Sequence, residues 1–183
     1  MTRRDFLDVI HPMIKGLQSR GAIAPARNPA IVVFADLDGR DREKAVELAS
    51  QYQLFAGLPA LVSGRFNGML PVTRWEAGMI LAELLQRTHP EARQLIVPTS
   101  AVPEFTDLTS TERRRLEPLL KQGILVGYPD QTFRTQEPLT QAQWTAIAER
   151  LKALDGFTAP PASPRKPPAL RDEYQLLRHE PDR

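Results

Sequence analysis

The chain has 183 residues, 42% of them apolar and 25% charged, which is enough to bury a hydrophobic core and excludes a wholly disordered protein. It contains no cysteine, so a disulfide scaffold, a thiolate zinc site and a cysteine nucleophile are all excluded. Lysine and arginine number 24 against 22 acids, a net charge of +2 with a pI of about 9.1, too small an excess to argue for a nucleic-acid or membrane-surface protein.

The opening stretch, residues 1–20, is predicted to be a helix. Phe6, Leu7, Ile10, Met13, Ile14 and Leu17 recur at three- and four-residue spacings and form one apolar face. Thr2 caps it, with Asp5 completing an approximate capping box, and Gly21 ends it. Asp5, Asp8 and His11 break any signal-peptide core, so the chain as written reads as soluble and unexported. No apolar run reaches the roughly 20 residues of a membrane span. Further helices are expected at Arg40–Phe55, Thr73–Arg87, Ser110–Gln122 and Thr140–Leu154, each opening near Thr, Ser or Asp. Strand signal is confined to Ile31–Phe34 and Leu95–Val97, short runs that serve equally as extended connectors. From Gly156 the composition shifts to Pro160, Pro161, Pro164, Pro167 and Pro168 around Arg165 and Lys166. Residues 156–183 therefore read as a stiff, basic, Pro-rich tail, with a short charged helix at Arg171 to Glu180. The fold class is mostly α, with little or no strand.

The middle of the chain repeats. Phe34-Ala-Asp36-Leu37 recurs as Phe105-Thr-Asp107-Leu108, 71 positions later. Leu54-Phe-Ala-Gly57-Leu-Pro59 recurs as Ile124-Leu-Val-Gly127-Tyr-Pro129 at an offset of 70, and Phe66 and Pro71-Val-Thr73 recur as Phe133 and Pro138-Leu-Thr140 at 67. The last step places a three-residue insertion between Gly57 and Phe66, where a loop tolerates it. Thr2-Arg3-Arg4-Asp5 matches Thr73-Arg74-Trp75-Glu76, again 71 apart. The chain thus holds two units, 31–88 and 103–155, and the closing helix of an earlier one. Neither helix of a unit can bury its apolar face alone, so the copies must pack on each other.

Phe105-Thr-Asp107, Gly123 to Arg134 and Leu139-Thr140 resemble an S-layer homology repeat, whose pattern runs F-x-D, helix, G-I-x-x-G-Y-P-D-G-T-F-x-P and a T-R-A-E helix start. The resemblance is long over 103–155, looser over 31–88, and limited to the closing helix over 1–20. It implies a pseudo-threefold helical bundle over residues 1–155 with helix-loop-helix prongs. It also implies noncovalent, non-enzymatic docking to cell-wall-linked, pyruvylated polysaccharide in grooves between repeats, with no cofactor or metal. On that basis the ligand-facing arginine falls on Arg3 and Arg74, its partner acid on Asp5 and Glu76, and the F-x-D acid on Asp36 and Asp107. Trp75 and Tyr128 are candidates for sugar contact. A guanidinium suits the task because its planar fork binds a carboxylate through two parallel hydrogen bonds. In the third copy, Thr140-Gln141-Ala142-Gln143 lacks both the Arg and the Glu, so that copy is expected to have lost its anion site. Gln131 replaces a glycine where the pattern calls for positive φ.

Each candidate also has a plain reading. Arg3 and Arg74 read equally as solvated helix-start residues, and Asp36 and Asp107 as caps or loop braces. Trp75 and Tyr128 read as packing residues, and Trp144 as core. Ile31 to Gly39 has the look of a strand delivering D-x-D-G, as in phosphatases with an aspartate nucleophile, but Arg40 follows where Thr or Val is required. The same run fails as a calcium loop because its glycine comes too early. His11, His89 and His179 have no metal-ligand spacing, and Thr111 to Arg115 reads as a solvated helix face. Two functions remain. One is the cell-wall binding module, placed in the envelope if a leader was removed. The other is an adaptor of the same fold that has lost the sugar and binds a protein, for instance through the tail, placed in the cytoplasm if Met1 is the native start.

Overall fold

The computed structural model describes residues 1–58, 64–89 and 104–154. The expected insertion loop after Gly57, the run Leu95–Val97 and the Pro-rich tail with its charged helix lie largely or wholly outside those residues. Within them the chain is helical, with α1 (Arg3–Ser19), α2 (Gly39–Val46), α3 (Arg74–Thr88), α4 (Ser110–Lys121) and α5 (Gln141–Lys152). A π-helical turn, Glu47–Gln51, continues α2. Among the described residues, β pairing is limited to two isolated antiparallel bridges, Thr2 with Pro71 and Thr73 with Pro138. Ile31 to Phe34 is extended coil, with Ile31 almost fully exposed and Phe34 buried.

Four of the five helices begin the same way. Thr2, Thr73, Thr109 and Thr140 each accept a hydrogen bond from the amide three residues on. The side chains of Asp5, Glu76, Glu112 and Gln143 reach back to the threonine amide. These reciprocal bonds satisfy two otherwise orphaned donors at each start, a contribution of about 1 kcal/mol.

The copies superpose in their chemistry. Phe34 meets Phe66 edge-on at 5.6 Å, and Phe105 meets Phe133 edge-on at 5.7 Å. Between Asp36 and Gly57 the first copy carries one residue more than the second, as the change of offset from 71 to 70 requires. The π-helical turn lies in that interval, and such a turn is how a helix absorbs a single added residue without rotating its buried face. Positive φ recurs at matched positions too: Gln53 with Gly123, Gly64 with Gln131, Asn67 with Arg134.

Gln131, at φ 62°, bears out the expectation that a side chain stands where glycine is favoured. It is exposed and closes its turn through its amide to the Tyr128 carbonyl at 3.0 Å. Gln131→Gly should therefore stabilise the protein by about 0.5–1 kcal/mol, relief of the left-handed strain exceeding the added freedom of the unfolded chain. Thermal unfolding of the two proteins side by side checks this, and a lower midpoint for the glycine variant would contradict it.

The equivalent helices α1, α3 and α5 meet one another pairwise. Phe6 of α1 packs edge-on against Trp144 of α5 at 5.1 Å, confirming Trp144 as core. Arg3 of α1 reaches Glu76 of α3, and Arg74 of α3 shares a groove with Gln143 and Ala146 of α5. Each copy also hands backbone bonds to the next. The amides of Arg3 and Arg4 donate to Leu70 and Gly68, and those of Arg74 and Trp75 donate to Glu137 and Thr135.

Candidate functional site

The loop between Gly57 and the next helix is held by an aspartate in each copy. Asp36 accepts the Phe66 and Asn67 amides at 2.7 and 2.6 Å, and Asp107 accepts those of Phe133 and Arg134 at the same distances. Burial raises the Asp36 carboxyl, but these amide bonds outweigh it and hold it below its ordinary value. Both oxygens of each aspartate are thus engaged in bracing. Neither residue is a helix cap, since Asp38 and Thr109 stand at those positions. The phosphatase-like reading of Asp36 ends here as well, because its carboxylate is spent on the loop.

That bracing turns the Phe66 and Phe133 carbonyls toward the arginines at the helix starts. Arg3 donates to the Phe66 carbonyl through Nη1 at 3.0 Å, and Arg74 donates to the Phe133 carbonyl through Nε at 2.8 Å. Both arginines are buried, at 8% and 6% exposure, so neither is the solvated helix-start residue of the plain reading. Their other partners differ. Arg3 forms a two-pronged ion pair with Glu76, which is itself buried. Arg74 donates through Nη2 to the Val126 carbonyl at 2.9 Å and stacks over Phe133 and Tyr128, its Cζ 4.6 and 5.0 Å from the ring centres. Among the described residues no carboxylate lies within ion-pair distance of Arg74, and its Nη1 hydrogens have no protein acceptor. Burial pushes this guanidinium below its ordinary value while Tyr128 and Glu137 oppose the shift; it stays charged at neutral pH.

The pairing rule differs from the one the motif suggests. The arginine and the acid of one helix start do not meet; the arginine of each copy faces the fourth residue of the T-R-x-E start in the next copy. The loss of Glu in the third copy, at Gln143, therefore bears on Arg74. Asp5 has no such arginine and serves its own capping box, and the Thr2 amide and hydroxyl hold its carboxyl below the ordinary value.

Arg74 lies at a groove of about 100 Å³ bounded by Leu125, Val126, Gln143, Ala146, Ile147 and Arg150. No acid is among these residues, and Arg150 adds a second cation to Arg74. Gln143 holds the Thr140 amide with its oxygen and donates from Nε2 to the Tyr128 hydroxyl at 2.9 Å; that hydroxyl in turn donates to Glu137. Leu125 and Val126 also line a second hollow of about 250 Å³, together with Phe105, Leu120, Gly127 and Tyr128. Tyr128 thus stands beside the groove, stacked also under Arg134 at 4.1 Å. Arg134 is fixed by Asp130 and Glu137, and Asp130, bonded to the Thr132 hydroxyl and to Arg134, titrates at about 2. Trp75 is half-buried against the core and does not line the Arg74 groove.

So Arg74 and Tyr128 come together, Arg3 and Glu76 cancel each other elsewhere, and Asp36 and Asp107 brace loops. Gln143, Ala146 and Arg150 were missed. The signal for them lay in comparing the second and third helix starts at the groove positions rather than in matching each to the motif.

Residues 104–143 match the family described as the S-layer homology domain. A cellulosome-anchoring protein from Acetivibrio thermocellus is 25% identical over 164 residues, an alignment that covers 76% of this chain and 35% of that protein. The chain thus spans about a third of that relative's length. No solved structure gives a significant match. No helix among the described residues is long and apolar enough to cross a membrane. Residues 104–143 are thus an S-layer homology repeat, and the chain around them is similar to proteins that carry this domain.

Proposed function

We propose that this chain is a non-catalytic module that docks to anionic, pyruvylated cell-wall polysaccharide, and that the Arg74 groove is where it does so. The observation that carries the reading is Arg74 itself: a buried, permanently charged fork whose two Nη1 hydrogens have no acceptor among the described residues, in a groove whose described lining holds a second cation and no acid. A pyruvyl ketal presents one carboxylate on a sugar, and such a carboxylate compensates a desolvated guanidinium better than water does. The flanking hollow, with Tyr128 and exposed Val126 at its edge, offers an apolar platform for the sugar ring. The name of the anchoring relative agrees with an envelope role.

Co-sedimentation with purified sacculi, before and after the attached polysaccharide is stripped, tests this. Binding should vanish on stripping and fall at least tenfold with Arg74→Ala. Binding that survives both changes, or no binding to intact sacculi, would overturn the reading in favour of a protein adaptor. One weak site gives modest affinity, so tight anchoring would come from several modules linked together.

A further inference from the structure

We infer that Gln143, Ala146 and Arg150 on α5, not the arginine both grooves share, decide which groove of this chain accepts an anion; the inference rests on the polysaccharide-binding reading above. The chain contains its own control. Carrying the groove back one copy by the offsets of 71, 70 and 67 places Arg3 at Arg74, Phe55 at Leu125, Ala56 at Val126 and Ile80 at Ile147. Those four pairs keep the same character, a cation and an apolar wall. The other three positions change. Glu76 stands at Gln143, Met79 at Ala146, and Glu83 at Arg150.

The three changes set the two arginines in different surroundings. Glu76 occupies the fork of Arg3, whereas Gln143 cannot ion-pair and turns its amide to the Tyr128 hydroxyl. Met79 lays its terminal methyl over Gly57, only 2.5 Å from where a Cβ would stand, whereas Ala146 brings a single methyl to the wall of the Arg74 groove. Glu83 puts an acid where the other copy has Arg150, and it is paired along its own helix with Arg87 at 2.9 Å. Arg150 brings a second cation to the other, tied by its Nη1 to the Ile124 carbonyl at 3.2 Å. The void that Arg3 touches is lined by Phe6, Leu7, Ile10, Phe66 and Val72 and holds about 10 Å³, room for one water at most, whereas Arg74 lines a groove of about 100 Å³. Arg3 is neutralised from within; Arg74 is left for a ligand carboxylate. Departure from the motif at Gln143 is therefore what frees the site.

Two substitutions test this without touching Arg74. Gln143→Glu keeps the capping box and supplies Arg74 with the partner Arg3 already has. Ala146→Met fills the groove with no change of charge. The full chain is titrated with a pyruvyl-ketal methyl glycoside, using the same glycoside without its ketal as the neutral control, and each variant's thermal midpoint is recorded. The wild type should bind the ketal sugar at one site and ignore the control. Each variant should lose at least tenfold in affinity, with a midpoint equal to or above the wild type's for Gln143→Glu. Wild-type binding with undiminished affinity in both variants would overturn the inference and leave the polysaccharide reading intact. Absence of wild-type binding to the ketal sugar would overturn both.

Discussion

Arg3→Ala should cost about 3–5 kcal/mol, because it leaves the Glu76 carboxylate buried without its cation. For a domain of this size that is a fall of roughly 10 °C in the thermal midpoint. Arg74→Ala, at the matched position, strands no charge. It deprives the Phe133 and Val126 carbonyls of their donors, a loss of about 1–3 kcal/mol. The two arginines thus differ in what they are for: the first holds the fold together, and the second is held by the fold. Adding Glu76→Gln to Arg3→Ala should recover part of the loss, since the stranded charge is then gone. Denaturant unfolding of the four proteins measures this, and equal losses for the two arginines would contradict it.

Gly127→Ala should be as damaging for a different reason. A Cβ there would fall 1.9 Å from Cε1 of Phe105 and 2.8 Å from two further ring atoms. The ring is pressed edge-on against Phe133, whose amide is held by Asp107 and whose carbonyl holds Arg74, so it moves only by giving up that contact. Overpacking of this kind costs about 3 kcal/mol, and the displaced ring should weaken sugar binding through the Phe133 carbonyl. Gly57→Ala, the counterpart in the first copy, meets only the flexible end of Met79 and should cost about 1 kcal/mol. If unfolding experiments found the two glycines equally tolerant of alanine, the contact geometry described for Phe105 would be wrong.

Much of this architecture is written locally. The threonine caps, the apolar faces, the paired phenylalanines and the positive φ of Gln131 follow from residues close together or from comparing copies. The helix boundaries fall within a residue or two of expectation, except after α2. There the periodicity reads as one α-helix to Phe55, whereas Glu47–Gln51 forms a π-turn and the chain leaves the helix at Tyr52. The one-residue change of offset carried that information, but a periodicity window does not resolve a single added residue.

The site was less legible, because it is made of pairings across copies. Arg3 and Glu76 are 73 residues apart, and nothing local says that an arginine faces the next copy's acid and not its own. Reading each helix start as a self-contained site made Gln143 a loss of function; seen across copies, it stands where Arg3 finds its carboxylate in Glu76, and Arg74 has no such ion pair among the described residues. Asp36 and Asp107 were ambiguous for a related reason. An aspartate before a helix has the residue type of a cap, and only the chain's return 30 and 26 residues later shows what it holds.

The most direct test of the account is to watch the two arginines separately while ligand is added. In protein labelled with ¹⁵N-arginine, the Nε–Hε resonances of Arg3 and Arg74, assigned with the alanine variants, are followed as polysaccharide released from sacculi is titrated in. The account predicts that the Arg74 resonance moves and saturates, that Arg3 stays still, and that removal of the ketal carboxylates abolishes the shift. A shift at Arg3, or none at Arg74 while the protein binds, would contradict it.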